Sequence, residues 1–134
     1  MKNDKHSSCC LAKILRVIDI LQKNASDDIC VEEGCTKSYL GERGNILCYN
    51  TRPITLYTKT NALFTSTYEL NGTTGTSSVF RVENVEGCCA TLRVLAPSSE
   101  DPATPYQKTS SFVTVNLNCM CALKCLTDIR LDCI

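Results

Sequence analysis

Eleven cysteines in a chain of 134 residues constrain its fold more than any other feature. This density approaches that of small cross-linked scaffolds. Because eleven is odd, at least one cysteine stays free or pairs with another chain. Cys9 is followed directly by Cys10, and Cys88 by Cys89. Adjacent cysteines rarely bridge each other because their Cβ atoms point apart, so each vicinal pair offers thiols in two directions, as a cross-linking node would.

Disulfide cross-linking is the use that this pattern favours, and every cysteine is a candidate. Structural zinc is a weaker alternative: Cys30-x4-Cys35 and Cys119-x-Cys121-x3-Cys125 supply enough thiolates, but C-x2-C motifs are missing. A catalytic thiol is weaker still, because the only histidine, His6, lies in a polar N-terminal segment. The sequence therefore predicts no catalytic residue, no metal site and no cofactor. The cross-link candidates are Cys9, Cys10, Cys30, Cys35, Cys48, Cys88, Cys89, Cys119, Cys121, Cys125 and Cys133.

Charge and hydropathy narrow the classes of protein further. Fourteen Lys and Arg balance fourteen Asp and Glu, which argues against nucleic acid as the main partner. The first apolar stretch is interrupted by Lys13, Arg16 and Asp19, so it is predicted to be neither a signal peptide nor a membrane span. A chain made in a cytoplasm thus carries the cysteine load of a secreted protein. Release when the producing cell dies would reconcile the two.

The N-terminal half is predicted to contain one helix. Residues 1–8 are expected to form a flexible tail and 24–51 an irregular, acidic connector. Between them, apolar side chains fall on one face of an amphipathic helix over 9–23. Such a helix either covers a core or binds a partner, including a second subunit. The residues of this face are Leu11, Ile14, Leu15, Ile18 and Leu21.

From Arg52 onward, β-branched and aromatic residues alternate with polar ones. The pattern predicts a mainly β protein, a small antiparallel β-sandwich over 52–126 with the N-terminal helix and a C-terminal tail over 127–134. Residues 9–134 are then one structural domain. The candidate strands are 53–59, 62–69, 78–85, 89–96 and 111–123.

Two of these strands allow more specific predictions. Phe80 and Val82 should face the core, and matching them to the next strand requires an odd-length loop near Cys88 and Cys89. In 111–123, apolar residues alternate so regularly that Cys119 and Cys121 are predicted to extend the apolar face. Buried free thiols are therefore the alternative to cross-linking at Cys119 and Cys121.

Long stretches of these strands carry little charge. Glu69 is the only charged residue between Lys59 and Arg81, and Lys108 the only one between Asp101 and Lys124. Native sheets often use edge charges to prevent association with other sheets. Neutral, threonine-rich strands leave such association open, although solvated loops would read the same way.

Three blocks of sequence resemble one known family. They are 50–59 (NTRPITLYTK), 79–95 (VFRVENVEGCCATLRVL) and 113–126 (VTVNLNCMCALKCL). Together they are similar to the CotY/CotZ/ExsY family of spore outer-coat, crust and exosporium proteins of Bacillus-type bacteria, and the resemblance covers most of 9–130. The chain departs from the family pattern in having Cys9 and Cys10 adjacent, rather than Cys-x-Cys, and in a short 97–110 loop.

This resemblance implies a structural protein rather than an enzyme. Such proteins self-assemble into ordered, often hexagonal, two-dimensional layers on the spore, and disulfides make the layers resistant. The implied partners are further copies of this chain, as hexamers in a planar array, and related coat or exosporium proteins, without nucleic acid or membrane insertion. Synthesis in the mother-cell cytoplasm and exposure at the spore surface after lysis are implied as well.

Two other functions stay open on the residues alone. One is an intracellular, zinc- or thiol-dependent binding module. The other is a secreted monomer whose bridges are all internal.

Overall fold

The computed structural model describes residues 9–24, 49–98, 105–131 and 134. These residues include one α-helix, one short 3-10 turn and seven strands. The helix α1 spans Cys10–Asn24, within one residue of its predicted bounds. The strands are β1 (Ile54–Thr58), β2 (Ser66–Leu70), β3 (Thr73–Ser77), β4 (Phe80–Glu86), β5 (Cys89–Pro97), β6 (Tyr106–Asn116) and β7 (Met120–Cys125).

The strands form two antiparallel sheets. Five of them lie in the order β6-β5-β4-β1-β7, and β2 pairs with β3 in a separate ribbon. The ribbon packs against β5 and β6, while α1 packs mainly against β4. This arrangement confirms the predicted class, a small β-sandwich with an N-terminal helix.

The core lies between the five-stranded sheet, α1 and the ribbon. Phe64, which precedes the ribbon, contributes a ring whose centroid lies 5.5 Å from that of Phe80. As predicted, Phe80 and Val82 face inward, as do three alternate residues of β5. The buried members of this core are Cys9, Ala12, Leu15, Ile18, Ile54, Leu56, Phe80, Val82, Ala90, Leu92, Val94, Val115 and Leu117.

Helix α1 has two apolar faces rather than one. Leu15 and Ile18 are buried against the sheet, whereas Ile14 and Leu21, predicted to share their face, are 44% and 48% exposed. The predicted stripe is wider than the strip that a helix can bury on a sheet, so its flank remains outside. We call the exposed flank, Ile14, Val17, Ile20 and Leu21, the outer helix stripe.

The β4–β5 hairpin differs from the prediction in its loop. Glu86 pairs with Cys89, so the turn has two residues, Gly87 and Cys88. A bulge between Val82 and Asn84 restores the faces that an odd-length loop was expected to set. The prediction of an odd-length loop was therefore wrong, because parity can be corrected within a strand as well as at its end. Cys88 and Cys89 do lie at the hairpin tip.

The predicted strand over 111–123 is two strands. A 3-10 turn at Leu117–Cys119 separates β6 from β7, and these lie at opposite edges of the five-stranded sheet. Four strand spacings would put the edges about 19 Å apart in a flat sheet. Four residues from Asn116 to Met120 reach only about 14 Å, so the sheet coils strongly.

This break overturns the predicted burial of two cysteines. Cys119 ends the 3-10 turn, and Cys121 occupies the irregular register between Tyr57 and Thr58 of β1. Both thiols are exposed rather than part of the apolar face. Alternation holds only within an unbroken strand, and the sequence gives no obvious sign of a break after Asn116.

Strand β3 is absent from the predicted set, where its residues read as turns. In the structure Asn71 and Gly72 form the turn of the β2–β3 ribbon, both with positive φ. Tyr68 lies across Gly75 on the facing strand, and a Cβ at Gly75 would lie 2.5 Å from the Tyr68 hydroxyl. The tyrosine ring thus covers a position where a glycine alone contributes nothing to packing.

The segment after β7 packs onto the fold. Ile129 pairs with Thr51, and Ile129 and Leu131 are both 3% exposed in a second, smaller cluster with Val79 and Leu95. The predicted tail over 1–8, most of the connector and Cys30, Cys35, Cys48 and Cys133 lie outside the described residues. Within the described ranges, α1 is neither long nor apolar enough to cross a membrane.

Candidate cross-linking site

A disulfide joins Cys9 and Cys88, and we call the part of the molecule around these two residues the bridged end. The disulfide uses one member of each vicinal pair, and its Cα atoms are 5.8 Å apart although 79 positions separate them in sequence. The bridge fastens the start of α1 to the turn between β4 and β5. Cys10 and Cys89, the other members of the two pairs, keep free thiols.

Cys9 forms the N-cap of α1. Its carbonyl accepts backbone hydrogen bonds from Ala12 at 3.0 Å and Lys13 at 3.4 Å, and the residue is 7% exposed. Cys9 belongs to the same buried core cluster as Ala12 and Leu15. An oxygen-bearing residue is the usual N-cap, whereas the side chain at this position forms the disulfide to Cys88.

Cys88 is held by contacts on both sides of its turn. Gly87 adopts a φ of 61°, which suits a tight hairpin turn. The carbonyl of Cys88 accepts a 2.7 Å hydrogen bond from the backbone of Leu117. Arg16 on α1 donates from Nη2 to the Gly87 carbonyl at 2.9 Å. The turn is therefore fixed by the helix and by the 3-10 turn together.

Three free thiols surround this bridge. Cys10 and Cys89 directly follow the bridged residues, and Cys119 ends the 3-10 turn whose Asn118 Oδ1 lies 3.8 Å from Cys9 Sγ. All three are exposed. We call Cys10, Cys89 and Cys119 the thiol patch. Free cysteines are usually buried as small apolar residues, so their exposure here is unusual.

Two further free thiols lie along the edge strand β7. Cys121 donates from Sγ to the carbonyl of Thr58 at 2.9 Å, and Cys125 lies opposite Ile54 at the end of the strand. Both are exposed, so all five free cysteines among the described residues face solvent. The structure does not bring the cysteines into one ligand set: in the part of the chain that it covers, no three Cys, His, Asp or Glu converge on a common point.

The face of β4 that points away from Phe80 and Val82 carries a polar network. Glu83 accepts hydrogen bonds on Oε2 from Arg81 at 2.8 Å and Arg93 at 2.9 Å. Arg81 also donates to Thr51 Oγ1 at 2.9 Å, and Arg93 to the carbonyl of Thr109 at 2.9 Å. Glu83 occupies the bulge of β4, so its carboxylate reaches two arginines that face each other across the strands. We call Arg81, Glu83 and Arg93 the arginine network.

A separate ion pair lies beside a shallow depression. Arg52 binds Asp128 at 2.8 Å, and the hydrogen bond between them lowers the pKa of Asp128 and raises that of Arg52. Burial of Asp128 opposes the lowering of its pKa. The depression, about 230 Å³, is lined by Leu21, Gln22, Tyr49, Asn50, Thr51, Arg52 and Asp128.

Several supporting residues were missed by the sequence analysis. Gln22 is 3% exposed and ties the end of α1 to the sheet, donating to the Val82 carbonyl at 2.9 Å and accepting from the Arg52 amide at 3.0 Å. Its position, four after the inward-facing Ile18, was the available signal. Arg16 and Glu83 gave no comparable signal, because charged residues are assigned to solvent by default.

Comparison with known proteins points to one family. The family model described as spore coat protein Z matches residues 1–105. Spore coat protein Z of Bacillus subtilis (strain 168) is 30% identical over 141 residues, covering 92% of this chain and 92% of the relative. No solved structure matches the chain. These matches confirm the resemblance found in the three sequence blocks.

Proposed function

Because this chain belongs to the spore coat protein Z family, and so to the structural proteins of the spore surface, we propose that it builds a disulfide-cross-linked, two-dimensional layer there. The layer is made of copies of this chain, arranged as hexamers in a planar array, together with related coat or exosporium proteins. The chain is made in the mother-cell cytoplasm and is oxidised once that cell lyses. It acts as a building block and not as an enzyme.

The exposure of the free thiols is the observation that carries this proposal. The five free cysteines in the described ranges are all exposed, while the bridged Cys9 is buried. A protein that used cysteine only to stabilise its own fold would bury or pair these thiols. Thiols at the bridged end and along β7 instead point outward in at least two regions, as a planar network of cross-links requires.

The surface also offers a non-covalent contact. In the outer helix stripe, Val17 and Ile20 are 56% and 57% exposed, and with Ile14 and Leu21 they form a continuous apolar band. Burying such a band against a second copy gains about 25 cal/mol per Å² of apolar surface. Weak packing of this kind would hold subunits in register before the thiols oxidise, and symmetry would repeat each bridge through the layer.

Electron microscopy of the recombinant protein tests this function. We expect ordered sheets or rings with and without reductant, and we expect them to survive concentrated urea only without reductant. A sample alkylated with iodoacetamide in its native state is the matched control: it should assemble and then dissolve in urea. A protein that stays monomeric by microscopy and on non-reducing gels would contradict the proposal. So would native spores on which all eleven thiols titrate.

Metal analysis distinguishes the proposed layer protein from the zinc-dependent binding module. Stoichiometric zinc in the purified protein, lost together with its fold on chelation, would favour an intracellular binding module. We expect substoichiometric zinc and an unchanged circular dichroism spectrum after chelation.

A further inference from the structure

The bridged end brings together a disulfide and free thiols, and we infer that Cys89 of one copy attacks the Cys9–Cys88 disulfide of another copy, converting an internal bridge into a link between subunits. This inference rests on the proposed layer and names the reaction that joins its subunits. The partner it requires is a second copy of this chain.

The atoms and electrons of the exchange balance without an added oxidant. The Cys89 thiolate of the attacking copy forms a new bond to Cys88 Sγ, and the bond between Cys88 and Cys9 breaks. The electron pair of that bond leaves on Cys9 Sγ as a thiolate, which takes up a proton equivalent to the one that Cys89 released. One disulfide and one thiol enter the reaction, and one disulfide and one thiol result.

Two features of the structure select Cys88 as the sulfur that is attacked. Cys88 is only partly buried in a two-residue turn, whereas Cys9 is 7% exposed. The leaving sulfur is Cys9, which caps a 15-residue helix. The positive end of the helix dipole stabilises a thiolate there and opposes the cost of its burial in the core, and a more stable thiolate leaves faster. Access and leaving-group stability therefore favour the same direction of exchange.

Geometry favours attack between copies over attack within one. Cys89 is exposed at the first position of β5, next to the sulfur that it would have to attack in its own chain. A disulfide between neighbouring residues is strongly disfavoured, so Cys89 reacts better with the hairpin tip of another copy. Each copy presents one bridge and one attacking thiol at the same tip. Exchange can thus close a reciprocal pair or extend a chain of linked subunits.

Exchange and direct oxidation differ in how many thiols they consume. Direct oxidation removes two thiols for every new disulfide, whereas exchange leaves the number of thiols unchanged. The test starts from full-length protein with the Cys9–Cys88 bridge formed, incubated without oxygen in the presence of a chelator. We expect covalent oligomers on non-reducing gels while the thiol count per chain, measured with Ellman's reagent, stays constant.

Mass spectrometry locates the new bond. Trypsin cleaves after Arg81 and Arg93, so Cys88 and Cys89 lie on one peptide, 82–93. We expect a disulfide-linked dimer of that peptide, together with new alkylation of Cys9. Oligomers linked only through other cysteines, with the internal bridge intact, would overturn the inference.

Two matched variants complete the experiment. Cys89→Ser keeps the bridge and should abolish anaerobic oligomers. Cys10 is also exposed and follows the other bridged residue, and Cys10→Ser should leave the oligomers unchanged. Retention of the oligomers in Cys89→Ser, or their loss in Cys10→Ser alone, would refute attack by Cys89. Microscopy distinguishes failure of this inference from failure of the proposed function. Ordered layers of Cys89→Ser that lack anaerobic links would show that assembly does not depend on the exchange. If the unmodified protein itself forms no layers, the proposed function is refuted.

Discussion

The bridged end and the arginine network are two ways in which this chain ties distant segments together. At the bridged end, a disulfide joins α1 to the β4–β5 turn, and three exposed thiols surround it. In the arginine network, Glu83 accepts from two arginines, whose other hydrogens bind neighbouring groups of the same chain. The arginines and Glu83 bind one another and groups of the same chain, while the bridged end keeps free thiols exposed to solvent. The arginine network serves the fold alone, and the bridged end is the region that we propose to join subunits.

The largest expected effect on stability comes from removing the bridge. Closing a loop across 79 positions is expected to stabilise the fold by about 4 kcal/mol through the entropy of the unfolded chain. The double variant Cys9→Ser/Cys88→Ser should therefore lose roughly that much free energy of unfolding. Urea denaturation, with free thiols alkylated beforehand, measures it. The control Cys10→Ser/Cys89→Ser removes the same number of cysteines and should change stability by less than about 0.5 kcal/mol. If both double variants lost the same free energy of unfolding, Cys9 and Cys88 would not stabilise the fold more than Cys10 and Cys89 do.

A smaller loss is expected from opening the arginine network. Glu83→Gln removes the charge between Arg81 and Arg93, which lie directly opposite each other on β4 and β5. The Arg81 side chain is only 9% exposed, so its charge would stay poorly solvated. We expect a loss of about 3 kcal/mol in urea denaturation, without any change in thiol reactivity. Glu86→Gln, on the same strand but exposed, is the control and should change stability little. A strong effect of Glu83→Gln on cross-linking would show that the two regions are coupled.

Of these interactions, the Arg52–Asp128 ion pair should contribute least to the free energy of unfolding. Its side chains are 39% and 35% exposed, so solvent screens their attraction, and we expect less than about 1 kcal/mol. Because the pKa of Asp128 is lowered in the folded state, the contribution is present above the carboxyl's unfolded pKa of about 3.9 and is lost as the pH falls through the folded value. The difference in free energy of unfolding between the parent protein and Asp128→Asn should therefore be constant from about pH 5 to 7 and shrink as the pH falls below about 3.9. A difference that grows on acidification would contradict this assignment.

Most strands were predictable because their burial follows a simple period. Phe80, Val82, Leu92 and Val94 alternate inward, and their strands lie close to the predicted ranges. The strand predictions failed where the alternation of inward and outward residues is interrupted, at the bulge at Glu83 and at the 3-10 turn before Met120. Such irregularities depend on tertiary contacts, such as the two arginines around Glu83, that a local pattern does not contain.

The candidate site was predictable in composition but not in arrangement. The vicinal pairs indicated thiols aimed in two directions, which is how Cys9 and Cys10, and Cys88 and Cys89, are placed. The choice of Cys9 with Cys88 depends on the helix meeting the hairpin tip, a contact between segments far apart in the chain. The position of Cys119 beside them depends on the turn that splits the predicted last strand.

Anchorage of α1 at both ends has a mechanical consequence. The disulfide fixes its first turn to the β4–β5 turn, and Gln22 fixes its last turn to the middle of β4. A pulling force on the helix is therefore divided between the turn at Cys88 and the middle of β4. A copy whose Cys9–Cys88 bridge has been exchanged keeps only the second of these anchorages, at Gln22, so its helix is free to peel away from its first turn.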